Sequence, residues 1–124
     1  MLKDNFYNII SSSTEVDVLH ATLTINKDHH IFSGHFPGQP VVPGACLLQI
    51  IKELTEIALG KSLRLSKADD LKFLSIINPN DKNNLTATVK YSTTDNGQVK
   101  INATLMKNEE LCFKCKATLQ AVSY

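Results

Sequence analysis

An α+β fold, with one long helix packed on an antiparallel sheet, is what this sequence predicts, and three observations carry the reading. Residues 45–59 form a continuous run dominated by Ala, Cys, Leu and Ile, long enough for four helical turns and followed by Gly60, a natural helix stop. Residues 85–92 and 99–105 alternate apolar and polar side chains, with Leu85, Ala87, Val89 and Tyr91 on one face and Val99, Ile101, Ala103 and Leu105 on another. Asp95-Asn96-Gly97 between them is a strong hairpin signal, and Lys107-Asn108-Glu109-Glu110 marks a second turn.

The remaining elements follow in chain order. Residues 1–12 are weakly patterned and fit a short helix. Residues 16–25 alternate well enough for a strand, which Asn26-Lys27-Asp28 ends. Residues 33–44, SGHFPGQPVVPG, hold three Gly and three Pro. Proline lacks the donor N–H and glycine costs entropy, so this stretch is neither helix nor central strand but a shaped loop. In the helix after it, apolar residues cover most of the circumference, as a helix buried on most sides requires. One polar stripe remains: Gln49, Lys52, Glu53 and Glu56, spaced i, i+3, i+4, i+7. Residues 69–77 read as a strand ending at Asn78-Pro79-Asn80-Asp81, and residues 111–122 as the last strand. The sheet therefore has five or six strands.

Composition bounds the function. The 124 residues make one domain, 1–124, large enough to hold a core without staples. Hydrophobic residues make up 43% and charged residues 20%. Thirteen Lys and Arg against twelve Asp and Glu leave a net charge of +1, which argues against nucleic acid as a partner. MLKDNFYNII lacks the apolar stretch of a secretory signal, and no run of about 18 apolar residues predicts a membrane span. Three cysteines, an odd number, fit a reduced, cytoplasmic setting. Cys112 and Cys115 form a C-x-x-C, but within a strand-like alternation rather than at a helix N-terminus. The expectation is that Cys115 packs inward with Leu111, Phe113 and Ala117, while Cys112 faces out with Lys114 and Lys116.

The run from His30 to Gly44, with Gly34-His35-Phe36-Pro37 and then Pro40-Val41-Val42-Pro43-Gly44 leading into the apolar helix, resembles the signature loop of the 3-hydroxyacyl-[acyl-carrier-protein] dehydratases of the FabA/FabZ type. Lys72-Phe73 and Ile77-x-Pro79-x-Asp81 resemble the strand and turn that follow in that family. The resemblance implies the hotdog fold, in which a curved antiparallel sheet wraps one long buried helix. It implies removal of water from a 3-hydroxyacyl thioester, with no cofactor and no metal. His29, His30 and His35 suggest a metal only by residue type, without a supporting carboxylate spacing.

By the same resemblance His35 is the base that takes the C2 proton, a task suited to an imidazole. The Gly44 N–H, at the positive end of the helix, is placed to donate to the thioester oxygen, with Phe36, Val42 and Pro43 lining the substrate path. The family carries its catalytic carboxylate five residues after the glycine, where this chain has Gln49. An amide hydrogen-bonds but cannot deliver a proton as a carboxylic acid does. Glu53, one helical turn further on, is a second candidate for the carboxylate, directly or through a water; the alternative is a solvated charge near Lys52. Three functions follow: a dehydratase-like enzyme, a non-catalytic acyl-binding hotdog or partner subunit of a catalytic homologue, and an acyl thioesterase. The implied partners are an acyl carrier protein and a second hotdog chain in a side-by-side homodimer or heterodimer.

Overall fold

The computed structural model describes residues 2–34, 40–80 and 84–122. Strands β1 (Tyr7–Glu15) and β2 (Val18–Ile25) lead to a short 3-10 turn (His30–Ser33) and then to helix α1 (Gly44–Leu59). Strands β3 (Leu63–Phe73), β4 (Leu85–Thr93), β5 (Gln98–Lys107) and β6 (Glu110–Ala121) complete the chain. The six strands form one antiparallel sheet in the order β1-β2-β4-β5-β6-β3, so β1 and β3 are its edges. This is the hotdog arrangement: α1 lies against one face of the sheet and packs on β2, β3, β4 and β6.

The best-patterned segments form the centre. Leu85, Ala87 and Val89 of β4 and Val99, Ile101, Ala103 and Leu105 of β5 point to the helix side and are buried. They close on Cys46, Leu47, Ile50, Ile51 and Leu54 of α1 to form one contiguous core. Gly60 ends α1 in the left-handed conformation (φ 67°), its N–H donating to the Glu56 carbonyl. Gly97 (φ 79°) and Asn108 (φ 55°) supply the positive φ that the two hairpin turns require.

Three expectations are corrected. Residues 1–12 are not helical, since β1 begins at Tyr7 and pairs with β2. Of β1 only Tyr7 is buried, so the strand has no alternation to read. The strand expected at 69–77 runs instead from Leu63 to Phe73; it is an edge strand, exposed along most of its length, with register shifts between Leu65 and Lys67 and between Ala68 and Asp70. Cys112 faces in, not out. Leu105 pairs with Phe113 but Met106 with Leu111, leaving Cys112 as the extra residue of a bulge. Its carbonyl accepts from Leu74 N–H (2.9 Å) and Ser75 N–H (3.2 Å), and its side chain is fully buried.

Candidate functional site

The chain enters α1 along an extended path that the sheet side holds in place. The Val42 N–H donates to the Ile77 carbonyl (2.9 Å), which pins the loop to the segment following β3. Pro43 is the helix N-cap, in extended conformation, and its carbonyl takes the N–H groups of Cys46 and Leu47. Among the described residues the Gly44 and Ala45 N–H groups donate to no acceptor. They stand at the positive end of the helix, as an anion or a polarised carbonyl oxygen requires.

Gly44 has a second, packing reason to be glycine. A Cβ there would lie 2.7 Å from the Phe73 ring, which stacks in turn on Phe113 at 5.0 Å between centroids. Val42, Pro43 and Gly44 line one open groove of about 490 Å³ together with Phe73, Leu74 and Ile76. Three of the four residues expected to line the substrate path are thus brought together. The fourth, Phe36, and the expected base, His35, lie outside the described residues.

His29 has a structural occupation. Its Nδ1 accepts from the Ile31 N–H (3.2 Å) to cap the 3-10 turn that leads toward position 35. Burial, and then the neighbouring His30 at 4.3 Å between ring centroids, lower its pKa, which fits an imidazole that must stay neutral to accept.

The polar stripe of α1 is not a solvated face. Glu53 is fully buried, and four donors converge on its carboxylate: the backbone N–H groups of Leu2 (2.9 Å) and Lys3 (2.9 Å), the Tyr7 hydroxyl (3.2 Å) and the Gln49 amide Nε2 (2.7 Å). Burial alone would push the Glu53 pKa up; the hydrogen bonds from Leu2, Gln49, Lys3 and Tyr7 outweigh it and hold the carboxyl below its ordinary range. Glu53 is therefore an ionised acceptor. Burial and this adjacent charge raise the Tyr7 hydroxyl far above its usual pKa, so it remains a donor. One turn on, Lys52 and Glu56 pair at 3.5 Å and together clasp Leu63, whose carbonyl takes the Lys52 ammonium (3.1 Å) and whose N–H meets Glu56 (2.8 Å). Nothing in the unpatterned N-terminal residues signalled that Leu2, Lys3 and Tyr7 belong to this cluster.

Gln49 is half-buried and lines a second open groove of about 340 Å³, between α1 and the start of β3, with Ala45, Leu48, Lys52, Leu63 and Leu65. The two grooves flank the first turns of α1, one on the Gly44 side and one on the Gln49 side.

Comparison with known proteins agrees with this architecture. A family model described as ApeI dehydratase (ApeI-like) matches residues 11–117. The 3-hydroxyacyl-[acyl-carrier-protein] dehydratase FabZ of Lactobacillus helveticus is 32% identical over 88 residues, 65% of this chain and 58% of that relative. The FabZ of Coxiella burnetii (strain RSA 331) is 28% identical over 110 residues, 81% of this chain and 73% of its own. The chain thus spans a little over half the length of the first of these relatives. Among solved structures, the dehydratase heterocomplex ApeI:P from Xenorhabdus doucetiae has a chain with TM-score 0.73 at 18% identity, covering 90% of this chain and 96% of that one. A hypothetical thioesterase with coenzyme A from Streptococcus pneumoniae reaches 0.66 at 12% identity, covering 99% of this chain and 94% of its own, which shows the shared fold alone. With the family model matched from β1 well into β6 and the hotdog sheet around α1, the chain belongs to the ApeI-like dehydratase family.

Proposed function

We propose that this protein binds 3-hydroxyacyl groups presented as thioesters by an acyl carrier protein and acts in their dehydration. The observation that carries the reading is the start of α1, where the Gly44 and Ala45 N–H groups find no acceptor among the described residues and Gly44 lines an apolar groove, five residues before the side chain at the position of the family's carboxylate. The Gly44 N–H stabilises the negative charge that develops on the thioester oxygen. His35 removes the C2 proton, the C2–C3 double bond forms, and the C3 hydroxyl leaves as water with a proton returned by the His35 imidazolium or relayed through a water.

Gln49 is the departure. It cannot deliver the proton to the leaving hydroxyl, and general acid catalysis is typically worth about 10²–10⁴-fold. Glu53, ionised and saturated with donors, is poorly placed to replace it. This favours a second reading, in which the chain is a weakly active or inactive subunit paired with a carboxylate-bearing homologue. The FabZ relatives are named for acyl-carrier-protein substrates and the ApeI:P assembly is a heterocomplex, both of which support a carrier protein and a second hotdog chain as partners. Edge strand β3 supports side-by-side pairing: its outer backbone is open, and Leu65, Phe73, Leu74 and Ile76 are exposed along it and just beyond.

The test is an absorbance assay for the enoyl thioester. Wild type is expected to form enoyl product from a carrier-bound 3-hydroxyacyl substrate, alone or with its partner chain, and His35→Ala to abolish this with thermal stability nearly unchanged. An active His35→Ala variant would remove His35 from the mechanism.

A further inference from the structure

We propose that Glu53 is a positioning residue that fixes which end of the Gln49 amide faces the ligand, making position 49 a neutral, permanent hydrogen-bond acceptor that selects acyl groups bearing a 3-hydroxyl. This rests on the acyl-thioester reading of the site and deepens it.

A glutamine amide has two nearly isosteric ends, and a free one presents either. Here the choice is made by chemistry. Glu53 is fully buried and already takes three donors from Leu2, Lys3 and Tyr7, hydrogen bonds that favour its ionised, acceptor-only form. An acceptor-only neighbour at 2.7 Å admits the Gln49 NH₂ and excludes its carbonyl. The carbonyl oxygen is then turned away from Glu53, and among the described residues no donor reaches it. Gln49 is half-buried and lines the open groove between α1 and β3, so this acceptor is within reach of a ligand held there rather than sealed in the core. The donor that fits is a hydroxyl. A saturated acyl chain or an enoyl chain brings none and leaves the oxygen unpaired.

The lock has a further consequence: since Glu53 cannot turn donor while ionised, the acceptor does not flip when the ligand changes. Position 49 thus distinguishes a hydroxyacyl chain from its dehydrated or reduced counterpart without entering proton transfer.

The experiment measures binding by calorimetry of two stable amide analogues, 3-hydroxybutyryl-pantetheine and butyryl-pantetheine with the thioester sulfur replaced by NH. Wild type is expected to bind the hydroxyl-bearing analogue about 3- to 10-fold more tightly, the range for one added neutral hydrogen bond. Glu53→Gln frees the amide to turn and Gln49→Met removes the acceptor; each is expected to bring the ratio close to one, with butyryl analogue affinity held. If Glu53→Gln does not fold, Gln49→Met still decides whether the acceptor is at position 49. For the positioning role, the Gln49 side-chain amide protons of wild type, assigned by their loss in Gln49→Met, should resonate downfield and exchange slowly, as donors to a carboxylate do. Equal affinity of wild type for the two analogues would overturn the proposal while leaving the acyl-thioester reading standing. A ratio retained by Gln49→Met, or a Gln49 amide that is solvent-like by NMR, would also overturn it. Binding of neither analogue would overturn both.

Discussion

Glu53 shows how a single residue can be polar, buried and indispensable to its surroundings at once. A carboxylate at full burial costs several kcal/mol unless paired, and here four donors offset that cost. Because its folded pKa is lowered, the stability it contributes is present above the ordinary glutamate value of about 4.3 and is lost as pH falls through the folded value. Glu53→Gln keeps the shape but sets an NH₂ against donors. It is expected to cost about 1–3 kcal/mol at neutral pH and to flatten the acid limb of the stability profile below pH about 4.3. Urea melts of wild type and variant at several pH values check this; parallel acid limbs would remove Glu53 as their source. Residue identities at the site were partly legible without coordinates. The Gly-Pro loop and the amide at position 49 stood out by type and spacing, whereas the partners of Glu53 did not. Two of them are backbone N–H groups, which carry no sequence signature, and Tyr7 sits in a segment with no alternation.

Helix α1 is tied to what precedes and follows it by the polar stripe, not by apolar packing alone. Glu53 holds the N-terminal residues, while Lys52 and Glu56 clasp the first residue of β3. The clasp sets where the edge strand begins and so shapes the groove beside Gln49. Glu56→Ala leaves the buried Leu63 N–H without its acceptor, at a cost of about 1 kcal/mol. Native-state hydrogen exchange at Leu63 should speed up by roughly 5-fold, with amides in β4 and β5 unchanged; an unaltered Leu63 rate would show that the clasp contributes nothing. Elements were legible where burial alternates. Strands β4 and β5 and α1 were readable to within one or two residues, because one face of each meets the core. The edges were not: β1 exposes Ser11, Ser12 and Ser13 on both faces, and β3 is polar and twice bulged. At Cys112 a bulge shifted the inside–outside phase, which no period-two reading foresees.

At the scale of the molecule, the sheet has two edges, and the β3 edge carries the larger apolar margin. Strand β3 leads into exposed Phe73, Leu74 and Ile76, with Leu65 also open, whereas β1 exposes Ile10 and, just past its end, Val16, separated by a run of Ser and Thr. Apolar surface of this kind beside an unpaired strand marks an interface. Light scattering is expected to give a particle of twice the 13.7 kDa chain mass, or a heterodimer with a homologous chain. Leu65→Lys should shift it to monomer with unchanged circular dichroism; a wild-type monomer at micromolar concentration in the presence of that chain would contradict the pairing. The α+β class followed from the helix and the alternating strands and the hotdog fold from the family resemblance, but the apolar edge did not, since exposure is decided by where β3 lies in the sheet.

If the scaffold is a dehydratase site in which an amide that cannot give up a proton replaces the acid, one substitution tests it most directly. Gln49→Glu puts a carboxyl against the ionised Glu53, and two such groups at hydrogen-bond distance cannot both lose their protons near neutral pH. The introduced carboxyl therefore keeps a proton to give to the departing hydroxyl. The rate of enoyl formation from a carrier-bound 3-hydroxyacyl thioester, measured at matched protein concentration, is predicted to rise by up to about 10²-fold over wild type. A rate equal to or below that of wild type, in a variant that folds and binds the substrate, would contradict the account.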